Sequence, residues 1–137
     1  MTRVPDRLRH QVRDRAQGRC EYCLLHEDDA IYPHEPDHIV AEKHNGPTTL
    51  DNLAWACFLC NRFKGSDLSS IDPTTSKAAY LFNPRKHQWK RHFRLNGGRI
   101  EPLTASGRAT AFLLQFNTPV NITERLRLMA IGHYPRS

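Results

Sequence analysis

Two pairs of cysteines, each with two residues between its members, constrain this chain more than any other feature. Cys20 and Cys23 form the first pair, and Cys57 and Cys60 form the second. Two-residue spacing lets both thiolates of a pair face one cation, and two such pairs complete a tetrahedral Zn²⁺ site. Because all four cysteines of the chain are used, we expect a structural zinc with no open coordination position. Two disulfides or one redox-active pair are the alternatives.

The size and composition of the chain explain why such an ion would matter. Its 137 residues suit a single domain, and only 39% of them are hydrophobic. A metal that ties two loops together would supply stability that a thin core lacks. No apolar run approaches the roughly 20 residues of a membrane span, and the first residues lead into charge instead of an apolar signal segment. The sequence therefore predicts no membrane association and a cytoplasmic location.

The net charge of +6 is unevenly distributed along the chain. Residues 1–61 carry seven Lys and Arg against ten Asp and Glu, whereas residues 62–137 carry thirteen against four. A basic second half indicates a polyanionic partner, and an acidic first half indicates a site that gathers cations. A solvated basic surface is the alternative, because many basic domains bind no nucleic acid.

Hydrophobic periodicity and turn residues predict an α+β chain of short elements. The predicted elements are a helix over residues 5–17, short strands at 31–32, 38–41 and 53–56, a loop over 42–51, a helix from Asn61, a surface loop over 66–78, a hairpin around Asn96-Gly97-Gly98, a helix over 105–117, and a last helix opened by a capping box at Asn121. The predicted core anchors of the second half are Trp89, Phe93, Phe112, Leu113 and Phe116.

Three motifs in a fixed order resemble a known family. Asp37-His38-Ile39 lies between the cysteine pairs, Asn52-Leu53 follows it, and Asn61 and Lys64-Gly65 come directly after the second pair. Together they resemble the HNH endonucleases, in the zinc-stapled subgroup. Asn61 stands where the family name has its second His, and this HNN variant occurs in active relatives, including the HNH domain of the CRISPR RNA-guided nucleases.

The resemblance implies an α+β fold built on a ββα-metal hairpin and a metal-dependent hydrolysis of DNA phosphodiesters that leaves 5′-phosphate and 3′-hydroxyl ends. It implies that His38 is the general base, that Asp37 and Asn61 bind a catalytic divalent ion, and that Asn52 is a hydrogen-bonding brace of the loop. Asn52 alone is equally typical of a turn.

The chemistry of these residue types agrees with those roles. An imidazole, with an ordinary pKa of about 6.5, accepts a proton from water at neutral pH. The oxygen donors of Asp37 and Asn61 suit Mg²⁺ or Mn²⁺ better than Zn²⁺. Because neighbours in a regular strand point to opposite faces, Asp37 and His38 should not bind the same ion there. An irregular strand start after Pro36 is one resolution.

The organisation implied is a nuclease core with zinc knuckles over residues 1–78 and a basic extension over residues 79–137, packed on each other as one domain. Parts of the extension resemble the tail of small stand-alone bacterial HNH proteins, namely residues 81–85, 92–93 and 107–110.

Double-stranded DNA is the expected partner of this basic surface. Arg62 and Lys64 would project from the helix after the second cysteine pair, and Arg85 and Lys86 belong to a basic, aromatic stretch that would follow a nucleic-acid backbone. A plain basic face is the alternative for Arg62 and Lys64. Two other functions stay open: a catalytically inactive, zinc-stabilised module that binds nucleic acid, and a zinc-held protein-interaction module.

Overall fold

The structure is a computed structural model that describes residues 3–137, so that Met1 and Thr2 lie outside the described residues. Its helices and strands are, in chain order, α1 (Asp6–Ala16), β1 (Glu35–His38), β2 (Leu53–Ala56), α2 (Phe58–Lys64), β3 (Ser69–Ile71), β4 (Ala78–Tyr80), α3 (Trp89–His92), β5 (Phe93–Asn96), β6 (Arg99–Pro102), α4 (Ala105–Leu113) and α5 (Pro119–Ala130). Consecutive strands pair into three antiparallel two-stranded sheets, β1–β2, β3–β4 and β5–β6. The predicted α+β class is confirmed.

Helix α1 packs its apolar side against the β1–β2 hairpin. Val12 and Ala16 are buried in a small core with Leu53 and Trp55 of β2. The helix ends where Gln17 adopts a left-handed conformation and its backbone N–H turns back to the last carbonyls of the helix, a common helix termination. This ending delivers the chain directly to the first cysteine pair.

Strand β1 lies three residues earlier than the sequence predicted, at Glu35–His38 and not at 38–41. The backbone N–H of Ile39 still donates to the Asn52 carbonyl, but from Val40 onward the chain turns into the loop that Asn52 holds. The strand predicted at residues 31–32 is absent, and Ile31 and Tyr32 lie in an exposed bend. Their side chains have strand propensity, but no partner strand lies beside them in the described structure.

Helix α2 begins at Phe58, three residues before the predicted start, because the sulfur of Cys57 caps it by accepting from the Cys60 backbone N–H. The second metal knuckle and the start of α2 are therefore one structure. The loop predicted over 66–78 contains β3, which pairs with β4. The predicted division between residues 78 and 79 falls inside β4.

The last two helices differ from the prediction at their ends. Thr118, and not Asn121, caps α5, since its side chain accepts from the Asn121 backbone N–H and Pro119 occupies the first turn. Helix α4 stops at Leu113, and Gln115 follows in a left-handed conformation. The prediction of Phe112 as a core residue is wrong: it is 67% exposed, because α4 turns its alanines inward and Phe112 outward.

The second half packs on the first through one continuous core. Phe93 and Phe116 are buried with the cysteines of both pairs, and Trp89 packs against that core and donates from its indole N–H to the Tyr22 carbonyl at 2.8 Å. Near the C-terminus, the Tyr134 hydroxyl donates to the Cys23 carbonyl at 2.7 Å. The basic extension thus covers the cysteine cluster and holds the first knuckle in place.

Candidate active site

The four cysteines form one buried cluster. Their sulfur atoms all lie within 4.8 Å of one another, and those of Cys23 and Cys57 are 3.7 Å apart. A tetrahedral zinc with metal–sulfur distances of about 2.3 Å needs sulfur atoms roughly 3.8 Å apart, so the cluster has the dimensions of a metal site. All four cysteines are free of disulfides.

The pKa values of the four thiols indicate how a cation would stabilise this cluster. Hydrogen bonds from the neighbouring thiols, of which that from Cys20 is the strongest, hold the pKa of Cys57 well below its usual range. A hydrogen bond with Cys20 has the opposite effect on Cys23 and Cys60 and raises the pKa of each well above its usual range. Thiols packed this closely compete for one negative charge when no cation is present. A bound divalent ion would let all four ionise together.

His38 ends β1, and its imidazole is held at Nε2. This atom lies 2.9 Å from the hydroxyl oxygen of Thr48 and 3.8 Å from a carboxylate oxygen of Glu42. When Nε2–H donates to Thr48, the lone pair of the ring lies on Nδ1. That atom makes no hydrogen bond to the described residues 3–137, and the side chain as a whole is 10% exposed. In this tautomer the arrangement orients the ring and leaves the Nδ1 lone pair without a partner among these residues.

The imidazole borders a surface cavity lined by charges of both signs. The cavity, of about 290 Å³, is lined by His38 together with Arg3 and Arg9, and also by the carboxylates of Asp6 and Glu35. Arg9 is fixed in place, because its guanidinium donates to the His34 carbonyl at 3.3 Å and lies 5.4 Å from the ring centre of Trp55. A phosphate in this cavity would meet Arg9 beside the imidazole, whereas Arg3 is paired with Asp6 at 3.2 Å.

Asp37 points to the opposite side of β1 and is only 3% exposed. Its carboxylate accepts from the Tyr22 hydroxyl at 2.8 Å and forms an ion pair with the Lys64 ammonium at 3.1 Å. Burial raises the pKa of Asp37, and the positive charge of Lys64 opposes that rise. Strand β1 is regular through this point, since Asp37 pairs with Ala54 in the β1–β2 register. The irregular strand start that the sequence suggested is therefore absent.

Lys64 lies in the interior and does not project toward solvent as predicted. It is 2% exposed, and besides Asp37 its ammonium donates to the carbonyls of His38 and Ile39 at 3.1 and 3.2 Å. The physical reason is the packing of α2 against β1, which directs the last turn of the helix inward. A buried ammonium requires this set of oxygen partners, and it is not placed to contact a phosphate.

Asn52 ties together the two ends of the loop between β1 and β2. Its side-chain oxygen accepts from the Val40 N–H at 3.0 Å, and its amide donates to the Val40 and Pro47 carbonyls at 2.9 and 2.8 Å. The backbone crosses closely here: a Cβ on Gly46 would lie 1.7 Å from the Val40 carbonyl oxygen. The loop that carries Thr48 is thus fixed relative to His38.

Asn61 and Arg62 of α2 lie closer to the surface than Lys64. Asn61 is partly exposed and Arg62 is exposed. Within residues 3–137, the Asn61 side chain makes no hydrogen bond, neither to Asp37 nor to another group. Its amide oxygen is therefore available for a ligand.

The two basic residues expected in the extension differ in their surroundings. Arg85 forms an ion pair with Glu21, next to the first cysteine pair, so its charge is already compensated. Lys86 is exposed and borders a cavity of about 440 Å³ that Lys64 also touches. Of the two phosphate contacts predicted here, Arg85 and Lys86, only Lys86 is exposed and forms no ion pair within the described part of the chain.

Five residues of this site escaped the sequence analysis: Arg3, Arg9, Tyr22, Glu42 and Thr48. Only Glu42 left a usable signal, since it follows His38 by four residues in the motif loop. Arg9 belongs to α1 and Arg3 lies just before it, and no local pattern specifies how this helix docks onto β2.

Comparison with known families fits this geometry. Residues 20–67, about a third of the chain, match the model of the family described as HNH endonuclease. This segment spans both cysteine pairs, β1, β2 and α2, so the resemblance predicted from the motifs is confirmed over residues 20–67. The match supports a nuclease-type function for it. Neither a curated protein nor a solved structure matches the chain.

None of the helices within residues 3–137 combines the length and the apolar character that crossing a bilayer requires.

Proposed function

We propose that this protein is a metal-dependent endonuclease that hydrolyses phosphodiester bonds in double-stranded DNA, with His38 as general base. The observation that carries the proposal is the setting of His38: one ring nitrogen is anchored on Thr48 beside Glu42, and the ring shares a cavity with two arginines. A general base needs an oriented ring, a lone pair and room for substrate. The ring is oriented and borders a cavity, and Nδ1 carries the lone pair when Nε2–H donates to Thr48.

In the proposed reaction, a water molecule attacks the phosphorus while Nδ1 of His38 takes up its proton. The bond from phosphorus to the 3′ oxygen breaks and the leaving oxygen takes a proton from solvent water, which gives 5′-phosphate and 3′-hydroxyl ends. Glu42, 3.8 Å from Nε2, stabilises the imidazolium that forms. Arg3 and Arg9 would hold the phosphate and balance the charge that builds up on it.

The donors at Asp37 and Asn61 fit a hard divalent cation such as Mg²⁺ or Mn²⁺ in their chemistry. Asp37 already attracts a cation, the Lys64 ammonium, and the Asn61 amide has no partner among the described residues. Asp37 and Asn61 would hold the ion, with Lys64 as its competitor for the carboxylate. When bound, such an ion supplies charge stabilisation at the phosphate and the leaving oxygen.

A second ion, structural zinc, would occupy the cysteine cluster. Four thiolates at these spacings are typical of zinc and leave no open position for chemistry. Its role would be to fix the start of α2, and with it Asn61, relative to the first knuckle. A cytoplasmic location, where thiols stay reduced, agrees with this use of cysteine.

Contacts to the DNA backbone would come from Arg3, Arg9, Arg62 and Lys86. They form a sequence-independent, electrostatic set, so affinity should fall with salt by a slope of about −0.9 for each phosphate neutralised. The alternative function is a catalytically inactive, zinc-stabilised module that binds nucleic acid. One observation favours it: the Lys64 ammonium already neutralises Asp37.

Nicking of supercoiled plasmid with added Mg²⁺ or Mn²⁺ separates the two functions. We expect cleavage by the wild type and a loss of at least about 100-fold in His38→Ala, with DNA affinity retained. His44→Ala is the matched control, since His44 is an exposed histidine of the same loop, and it should cleave like the wild type. A wild type that binds DNA but cleaves with neither metal would favour the inactive module.

A further inference from the structure

Three apolar side chains stand out of the surface beside the proposed site. Ile31 is 94% exposed, Tyr32 57% and Phe58 40%, and the rings of Tyr32 and Phe58 pack together with centroids 4.8 Å apart. We call Ile31, Tyr32 and Phe58 the apolar wedge. Exposed apolar groups that support each other in this way are typical of a contact surface.

The wedge is continuous with the proposed catalytic residues. Phe58 is the first residue of α2, and Asn61 and Arg62 follow it by three and four positions. Residues with this spacing are neighbours on one helix face. A duplex whose phosphate reaches Asn61 and Arg62 would therefore bring its bases close to Phe58.

The acidic loop before Ile31 does not oppose this approach as strongly as its sequence suggests. Glu27 forms an ion pair with Arg13 at 2.8 Å, and Asp29 forms one with Arg136 at 2.9 Å. A side-chain hydrogen bond from Arg136 lowers the pKa of Asp29, so the carboxylate keeps its charge and stays paired. Only Asp28 of this loop is largely exposed.

The wedge is too small for a stable protein partner. Aromatic side chains bury roughly 150–250 Å² each, and these are already partly covered. A stable protein interface takes roughly 20–30 residues from each partner, whereas the wedge supplies three side chains. A base stack, in contrast, needs only one or two apolar side chains between neighbouring base pairs.

We propose that the apolar wedge inserts into the base stack of duplex DNA next to the cleaved bond and bends the duplex there. This inference rests on the proposed function, because it takes the DNA to lie along α2. Its consequence is a preference for base steps that unstack easily, such as TA and CA.

A duplex that carries 2-aminopurine at every fourth position tests the wedge, since this base fluoresces more strongly when it is unstacked. With no divalent ion added, we expect the wild type to raise the fluorescence on binding. Phe58→Ala and Tyr32→Ala should lose most of that rise and bind about 5-fold or more weakly, which is the low end for lost base stacking. The matched control is Phe112→Ala, which removes a more exposed ring far along the chain and should behave like the wild type.

Zinc content and urea midpoints of all variants, together with the plasmid assay, separate the outcomes. Folded Phe58→Ala and Tyr32→Ala variants that raise fluorescence like the wild type would overturn the wedge while leaving the nuclease proposal intact. A dimer that becomes a monomer in Phe58→Ala, seen by sedimentation, would also overturn it in favour of a second copy. A wild type that neither binds nor cleaves DNA would overturn the proposed function itself.

Discussion

His38 and Asp37 are neighbours in sequence but lie in different surroundings. The imidazole meets a cavity and two arginines, whereas the carboxylate is enclosed with Tyr22 and Lys64. This separation follows from the regular β1 strand, in which successive side chains leave on opposite faces. In the proposed reaction each residue has a distinct task, proton transfer for His38 and attraction of the divalent ion for Asp37.

The Asp37–Lys64 pair should also support the fold. Removing one partner of a buried ion pair costs about 3–5 kcal/mol, because the other charge stays buried without compensation. We expect Asp37→Asn and Lys64→Met each to lower the free energy of unfolding by about that amount in urea titrations. The double variant should lose less than the sum, since no charge is then left unpaired.

Arg62→Met is the matched control for Lys64→Met, because it removes an exposed cation from the same helix. It should change stability by no more than about 0.5 kcal/mol. If Lys64→Met proves as stable as Arg62→Met, the buried pair does not contribute as its geometry indicates.

At the scale of elements, the loop between β1 and β2 positions the partners of His38. Thr48 lies within it, and Asn52 closes it through three hydrogen bonds to backbone groups. The loop is therefore a rigid part of the site, although a helical or strand pattern is missing from its sequence.

Asn52→Asp tests this rigidity with a side chain of the same shape. The carboxylate can still accept from Val40 N–H but cannot donate to the Val40 and Pro47 carbonyls. We expect unfolding free energy to fall by about 1–3 kcal/mol for each carbonyl left without a donor. Asn45→Asp, in the exposed part of the same loop, is the control, and equal stability of the two variants would contradict the brace.

Elements specified by local chemistry could be predicted from the sequence, and others could not. Asn96-Gly97-Gly98 places the β5–β6 turn correctly, because this turn depends on residues next to each other. The strand predicted at 31–32 failed because strand formation needs a partner, which propensity alone does not provide. Strand β1 ends earlier than predicted, because its pairing with β2 stops at His38 and the Val40 N–H donates to the Asn52 side chain instead of to a strand.

The same distinction holds for the whole molecule. The cysteine cluster was predictable, because two closely spaced pairs of thiols can surround one metal ion whatever the path of the chain between them. The Asp37–Lys64 pair and the ion pair of Asp29 with Arg136 join residues far apart in sequence, and only the packing of the chain reveals them. Residues that bind one shared centre leave a spacing signal, whereas residues that pair across the core do not.

The fold as a whole should depend on one zinc ion per chain. Cys57→Ser removes a thiolate ligand but leaves a hydroxyl that can still cap α2. We therefore expect loss of zinc and unfolding from the lost metal alone, whose binding free energy is about 10 kcal/mol. Elemental analysis and circular dichroism measure both, and a chelator should reproduce the effect in the wild type. Protein purified without chelator that holds no zinc would contradict this expectation.

The dependence of plasmid cleavage rate on Mn²⁺ concentration tests the central claim most directly. His38→Ala should lower the plateau of this curve by at least about 100-fold and leave its midpoint in place, since the base acts in the transition state. Asn61→Ala should move the midpoint to higher Mn²⁺ and recover much of the rate at saturation, since it removes a ligand of the ion. If His38→Ala cleaves at the wild-type rate, or if Asn61→Ala has the wild-type midpoint, the roles assigned to these residues are contradicted.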